Sequence, residues 1–244
     1  MRDNILTQPG IILKKIPYSE SDEIILTLMR DDGLRRFFVA GSRKSRRRYQ
    51  GIIDVFAHLN FQYSVSDKGL WRLQGADIVR GATLFPTSNI EAYAFANFLS
   101  ELICELAPEE VNDHRFYDLW LSLQADMQSD TFTRQKAIQC VVQVFSRSGY
   151  EITNGHCVLC DSVELGAWVG FDQARGGVVC EKCCGEKETT FDRRLFDVMF
   201  ADVVEKTVPA VLMNKLVAFA QNIIQKPCRS AAFYIGILRS GDLV

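Results

Sequence analysis

The stretch GIILKKIPYSESDEIILTLMRDDGLRRFFVA, residues 10–40, decides the fold. Its β-branched opening, Gly10–Ile16, reads as a strand. Pro17 and the polar run Ser19-Glu20-Ser21-Asp22 then make a turn. Ile24–Met29 reads as a second strand and Leu34–Ala40 as a third. Between them Asp31-Asp32-Gly33 is a hairpin signal, because glycine supplies the positive φ that the turn needs. Further on, Leu59–Val65 alternates Leu59, Phe61, Tyr63 and Val65 on one face. Asp67-Lys68-Gly69 makes a second hairpin turn, and Leu70 to Ala76 a fifth strand. Five short antiparallel strands with turn signals about every ten residues predict a small barrel. The OB-fold is the five-stranded choice.

The remainder is helical in pattern. Ser88 is a helix N-cap with Glu91 at the capping-box position, and apolar residues recur at helical spacing from Asn89 to Leu106. Pro108 ends that helix. Further helices are predicted over Asp113–Met127, Thr133–Ser148, Arg193–Lys206, Val211–Gln225 and Ala231–Leu238. The chain therefore reads as α+β: an N-terminal five-stranded OB-fold barrel in residues 1–82, then an α-helical domain in 83–244.

Interrupting the helices, at about 153–188, is a cysteine-bearing insertion. It holds Gly155-His156-Cys157-Val158-Leu159-Cys160 and Cys180-Glu181-Lys182-Cys183-Cys184. Two Cys-x-x-Cys pairs, each on a tight turn, can supply the four corners of a tetrahedron, the usual spacing of a structural zinc site. Cys157, Cys160, Cys180 and Cys183 are thus expected to hold one Zn²⁺. Too little apolar mass lies between the pairs for a core, so the ion would supply the folding energy. A redox dithiol would use one pair near a βαβ unit. Paired disulfides need an oxidising compartment. A catalytic zinc needs an open position, and four thiolates leave none. Cys184 competes with Cys183, but the two-residue spacing favours Cys183.

Net charge is −2 over 244 residues, but it is unevenly spread. Residues 1–81 carry 14 Lys and Arg against nine Asp and Glu; the remainder carries 14 against 21. Much of the excess lies in one glycine-framed loop, where five of the six residues Arg43 to Arg48 are basic. A charge run is ordinarily a solvated face. Here no acidic residue stands between Asp32 and Asp54, and such a cluster is stable mainly against an anion. Phosphate backbone is the commonest partner, through counterion release. Arg43, Lys44, Arg46, Arg47 and Arg48 are the expected DNA contacts, extended by Lys14, Lys15, Arg35 and Arg36, with Tyr49 as a base-stacker. No apolar run reaches the membrane-spanning length of about 18 residues, and a cytoplasmic location without membrane attachment is expected.

Taken together, Gly10-Ile11-Ile12-Leu13, Tyr18-Ser19-Glu20-Ser21-Asp22, Asp32-Gly33-Leu34, Gly41 with Arg43-Lys44-Ser45-Arg46, then Gly51 and Phe56 occur in an order that resembles the bacterial recombination mediator family RecO. The cysteine quartet matches its zinc-bearing branch. Asp54 and Val55 stand where the family has Gln-Pro, and Arg47 and Arg48 make the loop more basic than usual. The resemblance implies binding of single- and double-stranded DNA, annealing of complementary strands, and no catalytic residues. It also implies association with RecR and with the C-terminal tail of single-stranded-DNA-binding protein, to help load recombinase on the bacterial nucleoid. Two other classes compete. A zinc-ribbon nuclease would need a carboxylate cluster for Mg²⁺. A zinc-dependent transcription regulator would need a basic recognition helix. Neither pattern is present in the sequence.

Overall fold

A computed structural model describes residues 5–44, 52–80, 89–109, 111–185, 190–200, 208 and 210–241. Two compact units emerge: residues 1–88 with 107–130, and residues 89–106 with 131–244.

The first unit is built on the expected barrel. Strands β1 (Leu6–Pro17), β2 (Glu23–Met29), β3 (Gly33–Val39), β4 (His58–Val65) and β5 (Trp71–Arg80) close in the order β1-β2-β3-β5-β4. All neighbours are antiparallel except β3 and β5, which meet in parallel through Phe37↔Trp71 and Phe38↔Arg72. The all-antiparallel expectation fails at this one seam, where the chain returns through the β3–β4 connection to close the Greek key. Alternation puts Ile12, Ile25, Phe37, Val39, Leu59, Phe61, Tyr63 and Leu73 inside. Each fully buried large side chain contributes about 1.5–3 kcal/mol of transfer free energy. Both hairpin turns form as expected. Gly33 stands at φ 68°, and a Cβ there would also meet the Val111 carbonyl oxygen at 2.2 Å.

Helix α2 (Arg115–Gln128) belongs to this first unit, whereas the sequence pattern groups it with the other helices. The reason is Phe56. Its backbone adopts φ 70°, its N–H donates to the Ile12 carbonyl at 2.7 Å, and its buried ring packs on Trp120 of α2 at 5.3 Å. His58 and the Tyr117 hydroxyl share a 2.7 Å hydrogen bond beside it. The amphipathic face of α2 is therefore covered by the barrel.

The second unit contains α1 (Ile90–Leu106), α3 (Arg134–Arg147), α4 (Arg193–Asp197), α5 (Ala210–Ile224) and α6 (Arg229–Gly241). Asn89 caps α1, its side-chain oxygen accepting from the Ala92 N–H at 2.9 Å; the expected cap Ser88 lies outside the described residues. Thr133 caps α3 through the Lys136 N–H. The helix expected over Arg193–Lys206 is described as the short α4 and a turn, and residues 201–207 lie outside the description. Phe95 and Phe98 of α1 pack against Tyr234 of α6 at 5.3 and 6.2 Å. Burial pushes the Tyr234 phenol far above its usual range.

Candidate nucleic-acid surface and metal centre

The cysteine insertion folds as a three-stranded sheet in the order β7-β6-β8: β6 (Trp168–Asp172) pairs with β7 (Gly177–Val179) and with β8 (Phe191–Asp192). Two knuckles flank it. At the first, the Asp161 N–H donates to the Cys157 carbonyl at 2.9 Å. At the second, the Cys183 and Cys184 N–H groups both donate to the Cys180 carbonyl, at 2.9 and 3.0 Å. These turns bring the sulfurs of Cys157, Cys160, Cys180 and Cys183 within 4.8 Å of one another, an arrangement that could hold a metal ion. Cys184 points elsewhere, its thiol donating to the Val179 carbonyl.

The donor set fits a tetrahedral ion. A metal–sulfur bond of about 2.3 Å places tetrahedral sulfurs about 3.8 Å apart, and the Cys160 and Cys180 sulfurs lie 3.7 Å apart. The charges fit too. Burial raises the Cys157 thiol, but N–H groups of Cys180, Leu159 and Cys160 aimed at its sulfur outweigh that and lower it to about 6. Cys183 is pushed up to about 12 by sharing its proton with Cys160 and Cys180. Four sulfurs this close cannot all ionise without a cation between them.

The module is joined to the helices by rings. Phe171 of β6 meets Phe219 of α5 edge-on at 6.1 Å, and Phe219 meets Phe145 of α3 at 4.9 Å. Gly176, at φ 67° in the β6–β7 turn, allows the approach: a Cβ there would lie 2.4 Å from the Phe219 ring. Arg193 adds a bond from its guanidinium to the Asn154 carbonyl at 3.1 Å.

On the barrel, the described part of the basic loop is its stem, Gly41–Lys44; Arg46, Arg47, Arg48 and Tyr49 lie outside the described residues. The acidic β1–β2 turn braces this stem. The Gly41 N–H donates to Asp22 Oδ1 at 2.8 Å, and the Ser42 hydroxyl to Glu23 at 2.8 Å. The Arg43 N–H donates to the Ser21 carbonyl, and its guanidinium to the Ser19 carbonyl at 2.9 Å. Lys44 pairs with Glu20 at 3.3 Å, both side chains exposed. The Gly41 N–H and the Ser19 hydroxyl hold the Asp22 carboxyl below the usual aspartate range.

The other expected cations divide. Lys14 is exposed. Lys15 is half-buried, donating to the Ile53 carbonyl at 2.8 Å and lying 3.8 Å from Glu23. Arg36 is exposed and paired with Glu109. Arg35 differs from the surface cation expected: it is only 7% exposed. It shares the inward parity of Phe37 and Val39, so its guanidinium lies 5.1 Å from the Trp71 ring centroid and donates to the Leu34 carbonyl and Asn112. Nearby, Gln8 and Asp32 bond the Tyr63 hydroxyl, whose pKa burial pushes up to about 12.

One feature was missed by the sequence reading. A cavity of about 390 Å³ opens on the barrel between Tyr18, Ile24, Arg36, Phe37, Phe38, Leu70 and Arg72. The β3 alternation carried the signal, because an inward Phe37 requires an outward Phe38.

Residues 1–82 match the family described as Recombination protein O N terminal, and residues 87–199 that described as Recombination protein O C terminal. Among curated relatives, the DNA repair protein RecO of Myxococcus xanthus is 28% identical over 174 residues, 71% of this chain and 70% of that one. That of Desulfatibacillum aliphaticivorans is 26% identical over 185 residues, 73% and 71% of the two chains. That of Geobacter metallireducens is 29% identical over 178 residues, covering 71% and 70%.

Proposed function

The chain belongs to the recombination protein O family of DNA repair proteins, and on that premise we propose that it is a non-enzymatic recombination mediator whose barrel holds DNA by its phosphates. The braced stem is the observation that carries this reading. Four hydrogen bonds fasten Gly41, Ser42 and Arg43 to the β1–β2 turn. The acidic groups of that turn are used on the stem, and the arginines beyond it follow directly in sequence. A cationic segment anchored at its base can neutralise phosphates on either a single strand or a duplex. Binding two strands at once would lower their mutual repulsion, which is what annealing requires.

Lys14, Arg36, Arg43, Lys44, Arg46, Arg47 and Arg48 are the proposed phosphate contacts, with Lys15 at their edge and Tyr49 stacking on a base. Arg35 would contribute only through the barrel end it supports. The metal we assign as one structural Zn²⁺ on Cys157, Cys160, Cys180 and Cys183, since four thiolates at this spacing complete its shell. RecR, the tail of single-stranded-DNA-binding protein and action at the nucleoid in the cytoplasm belong to the same proposal. Their support is the family membership. Among the described residues, no helix is long and apolar enough to cross a membrane.

The test is salt. Each phosphate contact contributes a slope of about 0.9 on duplex and about 0.7 on single strands. If the loop makes three or four of the contacts, replacing Arg43, Lys44, Arg46, Arg47 and Arg48 by Ala should flatten the dependence by roughly two to four units. Annealing should fall with binding. An unchanged slope would refute the loop as the DNA surface, and strand cleavage with Mg²⁺ would favour a nuclease.

A further inference from the structure

We propose that the cavity beside Tyr18 is a subsite for one unpaired nucleobase, and that it makes the barrel prefer single-stranded over fully paired DNA. This rests on the DNA-binding reading above and deepens it.

Tyr18 is 66% exposed, the most exposed aromatic ring among the described residues. Its ring stands edge-on to Phe38 at 5.6 Å and 88°. Ile24 and the core residue Phe37 also line the cavity, and Leu70 enters from the β4–β5 turn with 41% of its surface exposed. The volume, about 390 Å³, lies in the small-ligand range of roughly 300–1,000 Å³. A ring face and an apolar floor beside it suit a flat, apolar-faced group.

The charges identify what carries that group. Arg36 and Arg72 line the cavity. Ser19, the next residue after Tyr18, accepts from the Arg43 guanidinium at 2.9 Å, so the cationic stem begins one residue away. The Arg36–Glu109 pair is exposed on both sides, so a phosphate can approach the Arg36 guanidinium from solvent. Planar bases strung on a close-spaced anionic backbone match this combination, and stacking on aromatic side chains tolerates any base. A duplex keeps its base faces inside the stack, so it can meet the cations but cannot fill the cavity.

Three labelled probes test this by fluorescence anisotropy: an oligothymidylate, an abasic oligonucleotide of equal length and charge, and a duplex. The intact protein should bind oligothymidylate more tightly than the abasic strand. Tyr18→Ala should weaken oligothymidylate binding by about 5- to 150-fold, the span of a lost base–aromatic stack. It should leave the abasic strand, the duplex and the salt slope unchanged, because stacking releases no counterion. Tyr18→Phe should restore the preference, and its ring guards against misreading a folding defect. Equal weakening on all three probes, or none on oligothymidylate, overturns the subsite while leaving the phosphate-binding loop intact. Failure of the intact protein to bind any probe at low salt overturns both readings.

Discussion

Phe219→Ala is the most informative single change to the helical unit, because that ring is where the cysteine-bearing module meets the helices. Phe219 is buried between Phe145 and Phe171, at 4.9 and 6.1 Å, with Gly176 against its edge. Core Phe→Ala changes cost about 3–5 kcal/mol, from lost transfer and from the cavity left behind. Two aromatic pairings vanish as well, so about 4 kcal/mol is expected, a large share of a domain's total of roughly 5–15 kcal/mol. Cys160→Ser should interact with this change. On the proposed metal assignment, losing the Cys160 ligand from the first knuckle frees the second, and β7 leads directly into Cys180, so Phe171 loses its fixed position opposite Phe219. The two substitutions then remove part of the same contact, and their costs should fall short of the sum by about 0.5–3 kcal/mol. Urea denaturation followed by helical circular dichroism measures all four corners of the cycle. A cost under about 1 kcal/mol for Phe219→Ala, outside the range expected for a buried Phe, would refute the role of this ring in joining the module to the helices. So would additivity within about 0.5 kcal/mol.

Two further outcomes are expected. Elemental analysis should find one zinc per chain, and stripping it with a chelator should lower the thermal midpoint of the helical unit while leaving DNA binding by the barrel measurable; a metal-free protein with an unchanged midpoint would contradict the assignment. On alkaline titration at 295 nm, Tyr63 and Tyr117, both raised to about 12 by burial, should ionise well above the ordinary tyrosine value of about 10. Because their folded pKa lies above the unfolded one, the stability they contribute is full below about pH 10 and is lost as pH rises toward 12; a phenolate signal from Tyr63 and Tyr117, isolated by Tyr→Phe difference spectra, that is complete by about pH 10 would contradict it.

The barrel was legible in the sequence because half-buried strands write their two faces as alternation, and because Gly33 marks its own turn. The closeness of the four cysteines was legible for a similar reason: each Cys-x-x-Cys pair is fixed by a local turn, and the two turns bring the sulfurs within 4.8 Å of one another. Arg35 was not legible as a buried residue. Its parity with Phe37 could be read, but only barrel closure brings Trp71 and Asn112 to it. Helix α2 carries an ordinary amphipathic pattern, and nothing local says that Phe56, turned by its positive φ, will supply the ring that covers Trp120. The bracing of the basic loop by Asp22 and Glu23 joins segments about twenty residues apart across the β2–β3 hairpin, and Tyr18 and Leu70 meet at one cavity from still more distant turns. Sequence thus determined the five barrel strands, their two hairpin turns and the pairing of four cysteines on two tight turns, because those depend on residues near in the chain. Tertiary structure alone decided which cations face solvent and which rings share a cavity, because such neighbours are set by closure of the sheet.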